Sequence, residues 1–319
     1  MQQSVYVTRM IPESGIVSLM NAGFAVQMNP GSDPLRPEEL LAEAGKHDAF
    51  VSQLADRIDR SFLQAAAPRC RIVATCAVGT DNIEIEAARE FGIAITNTPD
   101  VLTEATADLA FALLLSAARR LGEAERVVRS GGWRGWRMLD FLGSDVHGRT
   151  LGIVGAGRIG SAVAKRATGF EMSLLYYNRH PNPKMDELGA RRVSLIELME
   201  QSDFISIHTP LTPETHRLID GRALARVKRG AILINTARGS VVDQAEMIRA
   251  LRDGRLAAAG LDVYEREPVV APELRAMENV VLLPHIGSAT VSTRSRMAEM
   301  AAHNVIAVLS GRPPINPVG

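Results

Sequence analysis

The stretch TLGIVGAGRIGSAVAKRAT, residues 150–168, decides the fold. Thr150 to Val154 reads as a buried strand and Ser161 to Thr168 as a helix. Between them, Gly155-Ala156-Gly157-Arg158-Ile159-Gly160 places glycines where a strand-to-helix turn that binds a dinucleotide needs them. Gly155 permits the tight turn, Gly157 lets the backbone approach a pyrophosphate, and Gly160 lets helix and strand pack closely. The phosphates would sit at the helix N-terminus, where unpaired N–H groups and the helix dipole favour negative charge. Three glycines alone make only a turn; the flanking strand and helix separate the two readings.

The following strand ends in Tyr176-Tyr177-Asn178-Arg179-His180. Where an NAD enzyme usually offers a carboxylate to the ribose hydroxyls, this chain has Asn178. A carboxylate would repel a 2'-phosphate, whereas Asn178 can donate a hydrogen bond and Arg179 can pair with the phosphate through its guanidinium. The expected cofactor is NADP(H), with NAD(H) as the alternative if Arg179 is merely solvated.

Further strands are expected at Phe204 to His208, Ala231 to Asn235, Ala258 to Val263 and Val280 to Leu283, which gives a six-stranded dinucleotide-binding sheet. Upstream, Val5 to Val7, Ala25 to Met28, Ala49 to Leu54, Arg71 to Ala77 and Ile93 to Thr96 alternate with helical stretches, again implying a parallel sheet. The chain therefore reads as α/β with two Rossmann-like, doubly wound parallel-sheet domains. The nucleotide-binding domain, residues 100–286, is inserted into a substrate domain made of residues 1–99 and 287–319. The helix from Thr103 to Arg120 bridges into the second domain, and the all-round apolar character of its stretch from Asp108 to Arg119 assigns that stretch to a dimer core.

A length of 319 residues suits two domains, and 46% apolar with 23% charged residues is ordinary for a globular protein. Basic and acidic residues balance at 36 each, so no global charge draws the chain to nucleic acid or to an anionic membrane. No apolar run approaches the roughly 20 residues of a membrane span, and the N-terminal residues do not read as a secretory signal, so a cytoplasmic location is expected. Cys70 and Cys76 lack metal-ligand spacing, and neither a disulfide nor a metal is expected.

Beyond these signals, the chain resembles the D-2-hydroxyacid dehydrogenase family over nearly its whole length, and within it most closely the glyoxylate and hydroxypyruvate reductases. The resemblance rests on Ala77-Val78-Gly79-Thr80-Asp81-Asn82-Ile83, Glu104-Ala105-Thr106-Ala107-Asp108, the glycine turn, His208-Thr209-Pro210-Leu211-Thr212 and Asn235-Thr236-Ala237-Arg238-Gly239. It continues through the segment from Gly260 to Pro268 and through Pro284-His285-Ile286-Gly287-Ser288. It implies reduction of a small 2-keto acid to the D-2-hydroxy acid, with Arg238, Glu267 and His285 as the catalytic set.

The chemistry agrees with those assignments. Reduction puts a hydride on the carbonyl carbon and a proton on its oxygen, and His285 is the natural proton donor near neutral pH. A neighbouring carboxylate favours the protonated ring and fixes its orientation, the role read for Glu267. Arg238 can span the substrate carboxylate and carbonyl oxygen.

The resemblance further implies cofactor contacts from Thr106, Arg158, Ile159, His208, Thr209 and Pro210, and from Thr215, Thr236, Ala237, Asp262 and Gly287. It gives the substrate carboxylate to the backbone amides of Val78 and Gly79, in a loop suited to an anion nest. Domain closure would then assemble the site. Leu54 is expected to shape the substrate pocket, and Trp136 to reach the active site of a partner subunit in a homodimer. Two alternatives remain at this point: another keto acid, such as 2-ketogluconate, pyruvate or phosphohydroxypyruvate, and a nucleotide-sensing corepressor-like protein on the same fold.

Overall fold

Runs such as Ile72-Val73-Ala74-Thr75 are apolar on both faces, which is what a parallel strand covered by helices on both sides requires. The computed structural model describes residues 2–31 and 33–319. They divide into two units, one comprising the residues up to Leu102 with Ser288–Gly319, the other Thr103–Gly287.

In the first unit, β1 (Ser4–Val7), β2 (Ala25–Met28), β3 (Ala49–Ser52), β4 (Ile72–Thr75) and β5 (Ala94–Thr96) form a parallel sheet in the order β2-β1-β3-β4-β5. Alternate residues separate two cores. Val5, Val7, Val51, Ile72 and Ala74 pack with the helix Val291–Leu309 through Ala298, Ala301 and Val305. Phe50, Val73 and Ile95 face Leu40, Phe62 and Ala87 on the other side. The last residues bind β5, Val318 donating its amide to the Ile95 carbonyl at 2.9 Å.

The second unit holds β6 (Thr150–Val154), β7 (Ser173–Tyr177), β8 (Arg191–Arg192), β9 (Phe204–Ile207), β10 (Ala231–Asn235), β11 (Leu256–Leu261) and β12 (Val280–Leu282). They form one parallel sheet in the order β12-β11-β10-β9-β6-β7-β8. Chain order reverses between β6 and β9, so the carboxyl ends of these strands flank the crevice where open α/β sheets bind ligands. The sequence led to six strands here, and the seventh is β8. Its two arginines are exposed and leave no apolar signature, yet they pair with Leu175 and Tyr176.

A correction concerns the helix Thr103–Ala118, which the sequence assigned to a dimer core. Ala107, Ala110, Leu113, Leu114 and Ala117 are buried within their own unit, against Ile153, Ile232 and Ile234. A side-chain carbon on Gly260 of β11 would lie 3.1 Å from Leu113, so glycine there lets this helix approach the sheet. The exposed apolar side chains follow it instead: Leu121, Val128, Trp133, Trp136, Met138, Leu139 and Leu142.

Among the described residues, no helix is long and apolar enough to cross a membrane. Both cysteines are free thiols, and burial pushes each up to about 12.

Candidate active site

The glycine turn follows β6 and leads into the helix Arg158–Thr168. Two of its glycines are demanded by the protein itself. Gly155 has φ +92°, and a side-chain carbon there would lie 2.6 Å from the Thr209 amide nitrogen. One on Gly160 would lie 2.3 Å from the Gly155 carbonyl oxygen. Gly157 differs: its backbone is extended, at φ −82° and ψ −156°, and a side-chain carbon there would meet nothing within 4 Å. Nothing in the protein requires glycine at this helix N-cap, so what it keeps open is the space over the first turn's N–H groups, where a pyrophosphate would bind. The Thr236 hydroxyl, at the end of β10, is buried with no protein partner. These features fit a dinucleotide.

Sequence reasoning missed the side chains that hold this rim. Asn182 donates to the Ala156 carbonyl at 2.7 Å and to the Ser161 hydroxyl at 3.1 Å, tying the loop after β7 to the glycine turn. Arg192 of β8 donates to the carbonyls of Asn178 at 3.0 Å and Arg179 at 2.7 Å. Asn178 itself donates to the His180 carbonyl at 3.0 Å, while Arg179 is exposed. Arg158, the first residue of the helix, is also exposed, and Ile159 packs partly into the core.

After β9 the chain crosses directly over Gly155. The His208 amide bonds the Val154 carbonyl at 2.8 Å, and its Nε2 lies 2.7 Å from the Ser206 hydroxyl. Desolvation pushes this imidazole down to about 3, so it stays neutral at physiological pH. The Thr215 hydroxyl donates to the Pro210 carbonyl at 2.6 Å, which closes the loop.

The proposed catalytic side chains leave the carboxyl ends of β10, β11 and β12. Asn235, the last residue of β10, shapes the turn that presents Arg238: its Oδ1 accepts from the Ala237 amide at 3.0 Å, and its Nδ2 donates to the Arg238 carbonyl at 3.0 Å. Arg238 donates through Nη1 to the Ala237 carbonyl at 2.9 Å. Gly239 must be glycine, because a side-chain carbon would fall 1.9 Å from the Tyr264 carbonyl carbon.

His285 Nδ1 lies 2.7 Å from Glu267 Oε2. The other oxygen of Glu267 accepts from the Tyr264 amide at 3.0 Å. Burial raises the Glu267 carboxyl, but the hydrogen bond and charge of His285, the Tyr264 amide and the charge of Arg238 outweigh it, and the net shift is downward. Glu267 is therefore held ionised, and Arg238 is near enough for its charge to act there.

His285 has φ +55°, in the left-handed region that costs a non-glycine residue on the order of 1–2 kcal/mol. Asp262, fully buried after β11, holds it there. Its carbonyl accepts the His285 amide at 2.9 Å, and its carboxylate oxygens accept the Ile286 amide at 2.7 Å and the Gly287 amide at 2.8 Å. Burial raises this carboxyl against those amides. Thr106 completes the support, its hydroxyl donating to the Gly287 carbonyl at 3.2 Å. Asp262, Thr106 and Gly287, expected as cofactor contacts, thus form one network beneath the His285 turn. Tyr264, whose hydroxyl donates to the Leu283 carbonyl at 2.8 Å, was missed although it stands inside a quoted motif.

Leu54, Val78 and Gly79 lie in the other unit, on loops after β3 and β4. Leu54 and Val78 are exposed, and Asn97 donates to the Val78 carbonyl at 2.8 Å. Trp136, in an irregular segment of the second unit, is 79% exposed, so its indole is available to a partner rather than to its own core.

Comparison with known proteins follows the same lines. Residues 111–287 match the NAD binding domain of the D-isomer specific 2-hydroxyacid dehydrogenases. A glyoxylate reductase of Thermococcus onnurineus is 50% identical over 319 aligned residues, covering 98% of this chain and 95% of the relative. One from Korarchaeum cryptofilum is also 50% identical, with 99% and 96% covered. Among solved structures, a protein from Thermus thermophilus superposes with a TM-score of 0.94 at 47% identity, covering 99% of this chain and all of that one. An NADPH-dependent glyoxylate/hydroxypyruvate reductase from Sinorhizobium meliloti, in complex with NADP and malonate, gives a TM-score of 0.88 at 34% identity, with 100% and 97% covered.

Proposed function

The chain belongs to the D-isomer specific 2-hydroxyacid dehydrogenase family, and on that premise we infer that it is a nicotinamide-dependent reductase of glyoxylate and hydroxypyruvate. The observation that carries the reading is the 2.7 Å contact of His285 with Glu267, on the strand-end edge that also bears Arg238 and the glycine turn.

When bound, the nicotinamide supplies the hydride that reduces the carbonyl carbon. The glycine turn and the Thr236 hydroxyl hold the cofactor. With Nδ1 of His285 engaged by Glu267, Nε2 is the nitrogen left to face the substrate and donate a proton to the carbonyl oxygen. Glu267, ionised throughout, balances the imidazolium before transfer and keeps the ring from rotating. Arg238 pairs with the substrate carboxylate and steadies the charge that develops on the oxygen. The amides of Val78 and Gly79 receive the substrate carboxylate, and Leu54 borders the substrate's small substituent.

NADPH is preferred over NADH. Asn178 and exposed Arg179 replace the carboxylate that would exclude a 2'-phosphate, Arg192 fixes the backbone of both, and the Sinorhizobium relative is NADPH-dependent by name. The protein is a homodimer. The exposed apolar side chains from Leu121 to Leu142 are its contact surface, and Trp136 reaches toward the partner's site.

Steady-state reduction of glyoxylate, hydroxypyruvate, 2-ketogluconate, pyruvate and phosphohydroxypyruvate with each cofactor tests the reading. Highest kcat/KM is expected for glyoxylate or hydroxypyruvate with NADPH. Failure to reduce any of them would overturn the activity, and a clear preference for NADH would overturn the cofactor choice alone.

A further inference from the structure

In the first unit, chain order reverses between β1 and β3, so the crevice of its sheet opens where Ser52 ends β3 and Thr8 follows β1. The loop 53–58, bearing Leu54, starts there, and the loop 77–83, bearing Val78 and Gly79, starts one strand away. A carboxyl group and a carboxamide outside the expected site fasten these loops together. Asp56 is 1% exposed, and its Oδ2 accepts from the Thr8 hydroxyl at 2.6 Å and from the Gln53 amide at 2.6 Å. Those bonds pin the first loop to the end of β1.

Asn82 joins the second loop to the first. Its Nδ2 donates to the carbonyl of Gln53 at 3.2 Å and to that of Asp56 at 2.7 Å. The backbone continues the seam, the Ile58 amide bonding the Asn82 carbonyl at 3.0 Å and the Glu84 amide bonding the Ile58 carbonyl at 2.9 Å. Beyond it, Asn97 and the Thr98 amide hold the Val78 and Ala77 carbonyls, each at 2.8 Å.

Burying such polar groups is expensive, and apolar residues of similar volume often stabilise a fold as well or better. Asp56 bears that desolvation, which raises its carboxyl, and its Oδ1 is buried with no partner. What directional bonds provide and apolar packing does not is a fixed spacing between two loops.

We propose that Asp56 and Asn82 are positioning residues that hold the Val78–Gly79 amides and Leu54 at the spacing the substrate carboxylate requires. The proposal rests on the assignment of those two amides to that carboxylate. Neither side chain touches the substrate. Their loss therefore weakens recognition of the carboxylate and spares proton transfer at His285 and cofactor binding.

The test compares Asn82→Ala, Asp56→Ala, which removes the accepting oxygen, and Gly79→Pro, which deletes one of the two amides, in the full-length enzyme. KM for glyoxylate and the inhibition constant of oxamate, an unreactive carboxylate, should each rise on the order of tenfold in all three, with kcat within about threefold of wild type in Asn82→Ala and Asp56→Ala. NADPH affinity should not change. If Gly79→Pro raises KM but Asn82→Ala and Asp56→Ala do not, or if those two lower kcat and Tm at constant KM, the clamp is only structural and the proposal falls. If Gly79→Pro itself leaves KM unchanged, the amide assignment fails and the proposal fails with it. Should one of Asn82→Ala and Asp56→Ala not fold, the other decides alone.

Discussion

Glu267 stands under opposed influences, since burial raises its carboxyl while His285, an amide and Arg238 lower it further. A carboxylate with a depressed folded value gives its full stabilisation above the unfolded value, about 4.3, and loses it as pH falls through the lower folded one. The Tm difference between wild type and Glu267→Gln should therefore be constant above about pH 5 and shrink below about pH 4. His208 is also shifted downward, to about 3 by desolvation, which for an imidazole favours the neutral form. Below its unfolded value of about 6.5 the unfolded chain takes up a proton that the folded one refuses, so stability falls with acid until about pH 3. Thermal melts should show a flatter decline between about pH 6.5 and 4 for His208→Gln than for wild type; parallel curves would contradict the burial of that ring. Arg238, Glu267 and His285 could be singled out in the sequence because each sits in a short motif of the resembled family, just past a strand end. Asp56, Asn182 and Tyr264 were not, since a buried polar side chain announces itself only through partners distant in sequence, such as Thr8 for Asp56.

The glycine turn shows how an element divides its residues between fold and ligand. Gly160 is demanded by the Gly155 carbonyl 2.3 Å away, whereas the space around Gly157 is open. Gly160→Ala should cost about 1–3 kcal/mol and lower Tm by several degrees. Gly157→Val should leave Tm near wild type yet weaken cofactor binding, read by fluorescence titration; equal loss of Tm in both would contradict the division. Alternation of apolar runs with helices sufficed to read both sheets as parallel. It did not reveal β8, whose pairing serves Arg192 and the loop after β7 rather than a core. Nor did it tell where the helix Thr103–Ala118 is buried, because an apolar surface records that it must be covered and not by what.

For the molecule as a whole, the exposed apolar side chains from Leu121 to Leu142 follow a helix, Leu121–Arg129, with no buried residue. A surface this apolar is expected to be covered by a second copy. Light scattering should find a dimer, shifted toward monomer by the double substitution Met138→Asp and Leu139→Asp; a wild-type monomer would contradict it. In the proposed function, catalysis turns on His285 as proton donor, braced by Glu267. Its most direct test is the rate of glyoxylate reduction by His285→Ala against wild type, with NADPH binding measured in parallel. A fall in kcat of about 10²–10⁴-fold with cofactor affinity retained is the expected result; a variant that reduces glyoxylate at the wild-type rate would contradict it.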